Sequence, residues 1–421
     1  MLRRIWSRRK ILAFLAVMGP GIITANVDND ANGIATYSMA GAAFGYKLLW
    51  VLFLITIALI VVQEMSARMG TVTGKGLSDL IREQFGVRAT VFVMSTLLLA
   101  NWANTVGDFA GVAGSLEIFG VSRYISIPLA AVLIWLLVLR GHYKQVERAF
   151  LFASLMYITY VISAILAKPP WGQVLRETFT VHFEADPTYL YMLIGVVGTT
   201  IAPWMQFYQQ ASTVDKGLTV RDYPYSRLDT ILGCLTTDIV AFFIIVACAS
   251  TLYAHGVTIR SAEDAAIALS PLAGRYASLL FAVGLLNAAL FSVAIIPLST
   301  AYALCEAFGW EAGLDRTFRE APVFYGLYTG MVATGALVIL IPGLPLIPVM
   351  ILSQFLNGVL LPVILFYMLK LTNNKRLLGE YTNSLAFNVI AGATVLIVGL
   401  SAILLVGISV VDAVKAAVVS F

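Results

Sequence analysis

The sequence predicts an all-α polytopic membrane protein, and three observations lead to this fold class. Of the 421 residues, 60% are hydrophobic and only 12% are charged, whereas soluble domains carry about 25% charged residues. The mean hydropathy of the chain is +0.88. Apolar runs long enough to cross a bilayer as a helix, roughly 17 to 25 residues each, occur about eleven times.

Eleven membrane helices are predicted from these runs, and the first and sixth runs are interrupted by polar or helix-breaking residues. No Gly/Ser-rich linker or polar block divides the chain, so we expect one transmembrane domain over residues 1–421. The predicted spans are 11–43, 48–68, 89–118, 124–140, 149–168, 189–215, 229–254, 275–305, 323–342, 345–370 and 384–411.

The distribution of basic residues predicts the orientation of the chain in a prokaryotic plasma membrane. With the N-terminus inside, 20 of the 27 Lys and Arg residues fall in cytoplasmic segments and seven fall outside. This asymmetry follows the positive-inside tendency of membrane proteins. We therefore expect a cytoplasmic N-terminus, and the odd number of helices places the C-terminus on the extracellular or periplasmic side.

The first span contains the most informative segment of the chain, Asn26–Gly33, which holds two carboxylates and three carboxamides in an apolar run. A carboxylate at bilayer depth is costly and persists where it lines a polar cavity or serves function. Asn, Asp and Gly also interrupt helices. The segment predicts a broken helix whose free backbone groups bind a substrate. A polar kink that faces neighbouring helices is the plainer alternative.

The sixth span contains a second break, within Gly195–Gln210. Pro203 removes one backbone hydrogen bond and clashes with the preceding turn, so the helix must kink or unwind near Ala202. The carbonyl groups of Thr199 and Ala202 are then expected to lose their usual partners. Proline kinks are common in membrane helices, so the position of this break, rather than the proline itself, is informative.

The two breaks predict an internal repeat. If spans 1–5 and 6–10 form two halves, residues 1–170 and 189–370, each half begins with an interrupted helix. An odd number of helices per half inverts the second half relative to the first. This arrangement is typical of the 5+5 inverted repeat of LeuT-type transporters, with the substrate site at the midplane. The run 384–411 is an additional helix.

Several short motifs resemble the Nramp family of metal-ion transporters, and together they extend over nearly the whole chain. The resemblance rests on Gly19-Pro20-Gly21, Ala35-Thr36, Phe44–Trp50, Ser66–Lys75, Ser353-Gln354 and Leu361-Pro362. It implies a transporter of divalent metal ions by alternating access, with lipid and metal ion as its partners. It implies no catalytic residue and no resident cofactor, because the metal is the transported substrate.

Both metal-binding signatures depart from the Nramp pattern. Where the family has DPGN, this chain has Asp30-Ala31-Asn32-Gly33, which keeps the aspartate and replaces the coordinating asparagine by Gly33. Where the family has MPHN, the chain has Ala202-Pro203-Trp204-Met205, so Ala202 replaces the coordinating methionine and Trp204 the histidine. These changes resemble the Nramp-related magnesium transporters, a prokaryotic branch of the family.

The resemblance also implies the metal ligands. Loss of the soft thioether at Ala202 removes a preference for transition metals over hard cations. Mg²⁺ requires oxygen ligands and retains much of its water. The expected ligands are the Asp30 carboxylate, the carbonyls at Val27, Thr199 and Ala202, and the side chains of Gln206 and Gln354, around a site widened at Gly33. Mg²⁺ should be accepted and Mn²⁺ tolerated, while Ca²⁺ is left open.

Three further acidic residues lie within predicted spans, and each has two interpretations. Asp28 either reaches the ion from the unwound segment or is a hydrogen-bonded carboxylate of the vestibule. Asp238, in the seventh span, is either a pathway group or a neutral structural residue. Asp108, in the third span, either lines the ion pathway or lies outside it, and the sequence favours neither interpretation.

The sequence predicts transport that is not coupled to protons. A proton relay needs titratable groups within hydrogen-bond reach, and the three histidines, His142, His182 and His255, all fall in predicted loops. Asp28, Asp108 and Asp238 keep a proton-coupled Mn²⁺/Fe²⁺ transporter as an alternative. A LeuT-type amino-acid symporter is the alternative from another class.

Other classes find no support in the sequence. It contains no catalytic triad, phosphate-binding loop, HExxH motif or CxxC pair, so an enzyme is not predicted. We expect no nucleic-acid partner. The sequence leaves the oligomeric state open, and a monomer is compatible with it.

Overall fold

The structure, a computed structural model, describes Phe14 and residues 17–139, 154–314 and 316–419, with side chains as far as residue 405. All regular secondary structure in this part of the chain is helical. The first half contains α1 (Pro20–Asp28), α2 (Ala31–Phe44), α3 (Leu49–Thr73), α4 (Leu77–Glu117), α5 (Arg123–Leu139), α6 (Ile158–Leu166) and α7 (Trp171–Phe179).

The second half begins with another interrupted pair and ends on a long terminal helix. It contains α8 (Pro187–Thr200), α9 (Pro203–Asp215), α10 (Tyr223–Thr251), α11 (Ala277–Phe308), α12 (Pro322–Ile339), α13 (Leu346–Thr372) and α14 (Leu385–Val419). Short helices at Ala262–Ala266, Ser270–Ala273 and Lys375–Leu378 lie in the connections. Single 3₁₀ turns occur at Ser154–Tyr157, Tyr253–His255, Ile267–Leu269, Gly274–Tyr276 and Gly379–Tyr381.

The predicted set of eleven membrane helices is confirmed in the described residues. Eight helical segments are long and apolar enough to cross a bilayer, and the α8/α9 pair is one of them. The α1/α2 pair and the shorter apolar helices α5 and α6 supply the remaining three crossings. Residues 11–13, 15–16, 140 and 149–153 of the predicted spans lie outside the described part, as do Arg3, Arg4, Arg8, Arg9, Lys10, Arg140, Lys144 and Arg148.

Two helical segments were not predicted. The third span was expected to begin at residue 89, but α4 begins at Leu77 and continues through a kink at Gly86, where φ is +78°. Only glycine adopts this backbone conformation readily, which explains the bend. The nine-residue helix α7, between the fifth and sixth spans, is too short and too polar to appear as a membrane run.

Both interrupted helices break at the predicted positions. Helix α1 ends at Asp28, and α2 begins after Asp30, whose extended backbone (φ −70°, ψ 177°) makes it the N-cap residue. Helix α8 ends at Thr200, and Pro203 occupies the first turn of α9. Proline suits that position because the amide it lacks would have no partner inside the helix.

Glycines allow the interrupted helices to pack closely on their neighbours. A Cβ atom on Gly21 of α1 would lie 2.7 Å from the backbone of Asp229 and Thr230 in α10. A Cβ atom on Gly198 of α8 would lie 2.0 Å from the Gln354 carbonyl oxygen of α13. Small residues at such crossings let membrane helices approach backbone to backbone. The two breaks are therefore held at fixed positions against α10 and α13.

A second fixed point holds the beginning of α1. The Asp229 carboxylate of α10 accepts hydrogen bonds from the backbone amides of Gly19 (3.2 Å) and Gly21 (2.7 Å). The Lys216 ammonium, at the end of α9, donates to the carbonyls of Val17 (2.8 Å) and Met18 (2.6 Å). A carboxylate at a helix N-terminus is stabilised by the unpaired amides and the helix dipole, so α1 is docked on α9 and α10.

A buried ion pair within α3 orients Arg68, which also holds the segment before α14. The Arg68 guanidinium lies 3.1 Å from the Glu64 carboxylate and donates to the Tyr381 carbonyl (2.8 Å) and the Asn383 side chain (2.6 Å). The Tyr223 hydroxyl donates to the same carboxylate. Both charged side chains are almost fully buried. Removal of one partner from such a pair leaves an uncompensated charge and costs about 3–5 kcal/mol.

We predict that Arg68→Ala lowers the melting temperature of the detergent-purified protein, because Glu64 is then buried without its cation. Lys375→Ala is the control, since Lys375 is an exposed cation. A fluorescence-detected thermal shift measures both variants. Equal melting temperatures for Arg68→Ala and the wild type would contradict a structural role for the ion pair.

Candidate functional site

The two helix breaks meet at Gly33. The position that a Cβ atom would occupy on Gly33 lies 3.0 Å from the Thr199 hydroxyl oxygen, 3.1 Å from the Asp28 carbonyl oxygen and 3.2 Å from an Asp30 carboxylate oxygen. Thr199 belongs to the end of α8, and the other groups belong to the break between α1 and α2. The structure therefore brings Asp30, Gly33 and Thr199 together as the sequence predicts.

Asp30 is held by the helix that it caps. One carboxylate oxygen accepts the backbone amide of Gly33 at 2.5 Å, and the other accepts the Asn32 side chain at 3.2 Å. An aspartate at this position satisfies one of the amides that a helix leaves unpaired at its start. The side chain is 5% exposed. Each carboxylate oxygen has more than one lone pair, so both can still contact a cation.

Asp108 of α4 also lies at the break. Its carboxylate accepts from Asn32 of α2 at 2.9 Å and from Ser292 of α11 at 2.6 Å. The backbone amide of Ala31, which would bond to the Val27 carbonyl in a continuous helix, is directed to Asp108 instead. Asp108 thereby joins three helices and leaves the Val27 carbonyl without that partner.

Two contacts at the first break were not predicted from the sequence. Asn32 donates to the Asn104 carbonyl at 3.1 Å in addition to its two carboxylate contacts. The hydroxyl of Tyr157 donates to the Asn29 carbonyl at 2.8 Å. An asparagine within a break is a recognisable signal for the first contact. The second joins residues 128 positions apart, and no sequence pattern indicates it.

The second break differs from the expectation at Ala202 and Gln206. Because Pro203 has no amide hydrogen, it cannot donate to the Thr199 carbonyl. The Ala202 carbonyl, expected to be free, instead accepts the Met205 backbone amide at 3.2 Å. The Gln206 side-chain amide has partners for its nitrogen when its oxygen and nitrogen are exchanged. In that orientation the nitrogen donates to the same Ala202 carbonyl at 2.9 Å. Gln206 thus folds back over the first turn of its own helix.

Gln354 belongs to a cluster of amides beside α8. Its side-chain oxygen accepts from Asn357 at 2.8 Å, and its nitrogen lies 3.3 Å from the Asn104 side-chain oxygen. Asn357 and Asn104 are also hydrogen-bonded to each other, at 2.9 Å. The close contact between Gln354 and Gly198 places the cluster next to Thr199. Asn104 and Asn357 were not predicted as part of the site.

Asp28, at the end of α1, and Asp238, in α10, are both buried beside the first break. Asp28 is close enough to Asp238 and Asp30 for the charges to interact. Thr237 approaches the Asp28 carboxylate at 3.4 Å, which is a long hydrogen bond. Among the ion pairs of the described residues, none involves Asp28 or Asp238. Both carboxyl groups therefore lie in the protein interior without a cationic partner.

Several polar atoms around the breaks have no hydrogen-bond partner although they are buried. They are Oδ1 of Asp28, Oδ1 of Asn29, Oδ1 of Asn32, Oγ1 of Thr199 and both carboxylate oxygens of Asp238. Buried polar atoms almost always have partners, so each exception needs an explanation. All of these atoms are oxygens. No set of three or more His, Cys, Asp or Glu side chains in the described residues is spaced for metal chelation, so a bound ion needs backbone oxygens or water too.

Trp204 packs on an aromatic ring, and the described histidines are engaged by other groups. Trp204 is buried in α9 and packs edge-on against Tyr208, with ring centroids 5.8 Å apart. His182 pairs with Glu177 near α7, and His255 contacts the Thr251 carbonyl at the end of α10. His142 lies outside the described residues.

Two cavities of the described residues are lined partly by charged side chains. One, of about 360 Å³, lies between the end of α4 and the start of α13 and includes Glu117, Arg123 and Glu263. The other, of about 1050 Å³, lies between α9 and α11 and is lined by Asp79, Asp215 and Glu306. The second is acidic, which raises the local concentration of cations. Asp30 lines neither of these two cavities and is almost fully buried.

Comparisons with known proteins agree with this architecture. Residues 21–407 match the family described as "Nramp: Natural resistance-associated macrophage protein-like". The "Divalent metal cation transporter MntH" of Yersinia pestis (strain Pestoides F) is 27% identical over 418 residues, which cover 95% of this chain and 97% of that protein. The protein of the same name from Deinococcus radiodurans is 27% identical over 416 residues, covering 94% and 90%.

Solved structures show the same fold. The Eremococcus coleocola manganese transporter, in complex with an aromatic bis-isothiourea substituted compound, has a TM-score of 0.78 at 20% identity, covering 94% of this chain and 87% of that one. MHP1, a nucleobase-cation-symport-1 family transporter, has a TM-score of 0.60 at 14% identity, covering 92% of both chains. These likenesses place the fold among the LeuT-type transporters. The family match over residues 21–407 shows that this chain belongs to the Nramp family.

Proposed function

We propose that this protein imports divalent metal cations by alternating access, that it accepts Mg²⁺ and also Mn²⁺, and that it does so without proton coupling. Membership of the Nramp family supports a metal transporter rather than an enzyme. The related proteins of Yersinia and Deinococcus carry the name divalent metal cation transporter, and the structural neighbour is called a manganese transporter. The identity of the ion is inferred from the site.

The observation that supports Mg²⁺ is that the groups that converge on Gly33 at the two breaks offer oxygen atoms. They are the Asp30 carboxylate, the Thr199 hydroxyl and the carbonyls at Val27 and Asp28, with Gln354 nearby. Mg²⁺ prefers such hard ligands and keeps several waters. The thioether that would favour softer metals is replaced by Ala202. Mn²⁺ also suits oxygen ligands, so we expect it to be transported.

The geometry also explains the glycine at residue 33. Any side chain there would begin 3.0 Å from the Thr199 hydroxyl, so it would push the two breaks apart. Since Gln206 folds over the start of α9 and the Ala202 carbonyl is hydrogen-bonded, we assign the closest contacts to Asp30, Val27 and Thr199.

The membrane potential is a sufficient driving force for uncoupled import. A divalent cation gains about 4.6 kcal/mol per 100 mV of inside-negative potential, twice the value for one charge. The histidines of the described residues lie far along the chain from either break, at His182 and His255. We further propose that the N-terminus is cytoplasmic and the C-terminus is extracellular or periplasmic, as the basic residues indicate.

Specific contacts bear on two alternative functions. A proton-coupled Mn²⁺/Fe²⁺ transporter is favoured by Asp108, which is buried beside Asp30 and linked to it through Asn32. Three donors already hold Asp108, which suits a fixed positioning role. An amino-acid symporter would bind its substrate carboxylate at the start of α2. The Asp30 carboxylate already occupies that helix start, so an anionic ligand is disfavoured.

We predict that Asp30→Asn lowers Mg²⁺ uptake into proteoliposomes by more than about tenfold, a loss that corresponds to about 1.4 kcal/mol. Asparagine caps helices as well as aspartate does, so this variant removes the charge and retains the cap of α2. Asp30→Ala removes both and should be equally inactive but less stable. Uptake at the wild-type rate by Asp30→Asn would contradict the site assignment.

We predict that Ala202→Met shifts the preference from Mg²⁺ towards Cd²⁺ and Mn²⁺, because it introduces a thioether ligand. Competition by each metal against uptake of a common tracer ion gives the ranking. Ala202→Leu is the matched control, since it adds similar volume without sulfur. If the leucine and methionine variants rank the metals identically, volume rather than ligand softness determines selectivity at this position.

A further inference from the structure

Asp28 and Asp238 form a second centre of negative charge, separate from the groups that hold Asp30. Asp30 is bound to the start of α2 and linked to Asp108 through Asn32. Asp28 is the last residue of α1, and Asp238 lies in the middle of α10. Their side chains are 4% and 5% exposed. Carboxylates close together in a medium of low dielectric repel strongly unless a cation neutralises them.

The hydroxyl groups around this pair do not satisfy it. Thr237 offers Asp28 a hydrogen bond of only 3.4 Å. The Thr56 hydroxyl of α3 lies beside Asp238 and is also hydrogen-bonded to the Leu52 carbonyl at 2.7 Å, so it is shared between the two acceptors. By hydrogen-bond geometry, three of the four carboxylate oxygens have no partner of their own.

An independent observation also points to a ligand. A small cavity of about 10 Å³ lies between α1, α3, α9 and α10, and its wall is mostly apolar apart from Gln63, Thr237 and a few other polar side chains. The Gln63 side chain is 2% exposed, and neither its oxygen nor its nitrogen has a hydrogen-bond partner. A space of this size holds about one water molecule, to which Gln63 offers a donor and an acceptor. Thr237, in the wall of the cavity, also lies 3.4 Å from the Asp28 carboxylate.

We propose that Asp28, Asp238 and Thr237 form a second divalent-cation position, and that the cavity at Gln63 holds a water of that ion's hydration shell. A dication between the two carboxylates cancels both charges and supplies a partner for each free oxygen. Mg²⁺ and Mn²⁺ fit, because both take oxygen ligands and Mg²⁺ retains water. The identity of the ion rests on the proposed function, whereas the position rests on these contacts.

The second position extends the path of the ion along α1. The first position lies at Asp30, and the second uses Asp28, at the end of α1, together with Asp238 of α10. Because Asp28 interacts electrostatically with both Asp30 and Asp238, two ions in adjacent positions would repel each other. Occupation of one position would then promote release from the other, as occurs where adjacent sites lie along a conduction path.

Equilibrium dialysis of the purified full-length protein against Mn²⁺ tests the proposal, with bound metal counted per chain at saturation. We expect two Mn²⁺ for the wild type, one for Asp238→Asn, one for Asp28→Asn and one for Asp30→Asn. Glu380→Gln is the control and should keep two, since Glu380 is exposed. Two asparagine variants are used so that a folding failure of one, seen by size-exclusion chromatography, leaves the other informative.

One Mn²⁺ per chain in the wild type overturns the second position, as do two Mn²⁺ in both folded Asp28→Asn and Asp238→Asn. The two proposals fail differently. If the wild type binds one ion and Asp30→Asn abolishes both binding and uptake, the transport function stands and the second position falls. If two ions bind but Asp30→Asn transports Mg²⁺ normally, the second position stands and the assignment of the transport site falls.

Discussion

An interrupted helix in a membrane must find partners for the backbone groups that it exposes, and this requirement organises the whole structure. Hydrocarbon offers no hydrogen bonds, so irregular backbone persists only where protein or a polar cavity satisfies it. At the first break the Asp30 carboxylate satisfies an amide, Asp108 another and Tyr157 a carbonyl. The oxygens left over, together with those of Thr199, form the proposed ion site.

The helices around the breaks are arranged to keep these oxygens converged. Glycine contacts press α1 against α10 and α8 against α13, while Asp229 and Lys216 dock the start of α1. Packing at this distance fixes positions that loops alone would not hold. The same contacts must loosen if either cavity is to reach Asp30. The docking of α1 is therefore both the constraint on the site and the element whose release alternating access requires.

In the proposed account, selectivity among metal ions depends on two residues that offer no side-chain ligand. Gly33 and Ala202 supply no side-chain ligand, so the ion depends on carboxylate, hydroxyl, carbonyl and water oxygens. Such a set favours hard cations and tolerates their hydration shell. The absence of sulfur at Ala202 matters more than any new contact. Discrimination against softer metals is then set by chemistry at one position, while affinity is set by the negative charge around both breaks.

The sequence predicted the class of fold, the number of membrane helices and both breaks, because hydropathy and helix-breaking residues act locally. It also identified Asp30, Gly33 and Thr199 as members of one expected site. It did not predict the amide cluster of Asn104 and Asn357, since these residues become neighbours only when α4 packs on α13. Nor did it predict that Gln206 turns back on its own helix.

These omissions have a common physical reason. A side chain's partner depends on packing between helices that are distant in the sequence, whereas a break depends on the residues at the break itself. Asp28 and Asp238 illustrate the point. The sequence marked both as candidate ion ligands, but only the structure shows that both are buried without a cationic partner among the described residues.

The central claim is that the oxygen-only site carries Mg²⁺ without a proton. Uptake of Mg²⁺ into proteoliposomes under an imposed inside-negative potential, with internal pH recorded at the same time, tests it directly. Empty liposomes and liposomes containing Asp30→Asn provide the background. The account predicts Mg²⁺ entry that increases with the potential and leaves internal pH unchanged. Entry of Mn²⁺ alone, accompanied by acidification, would contradict it and would identify a proton-coupled transporter with an altered site.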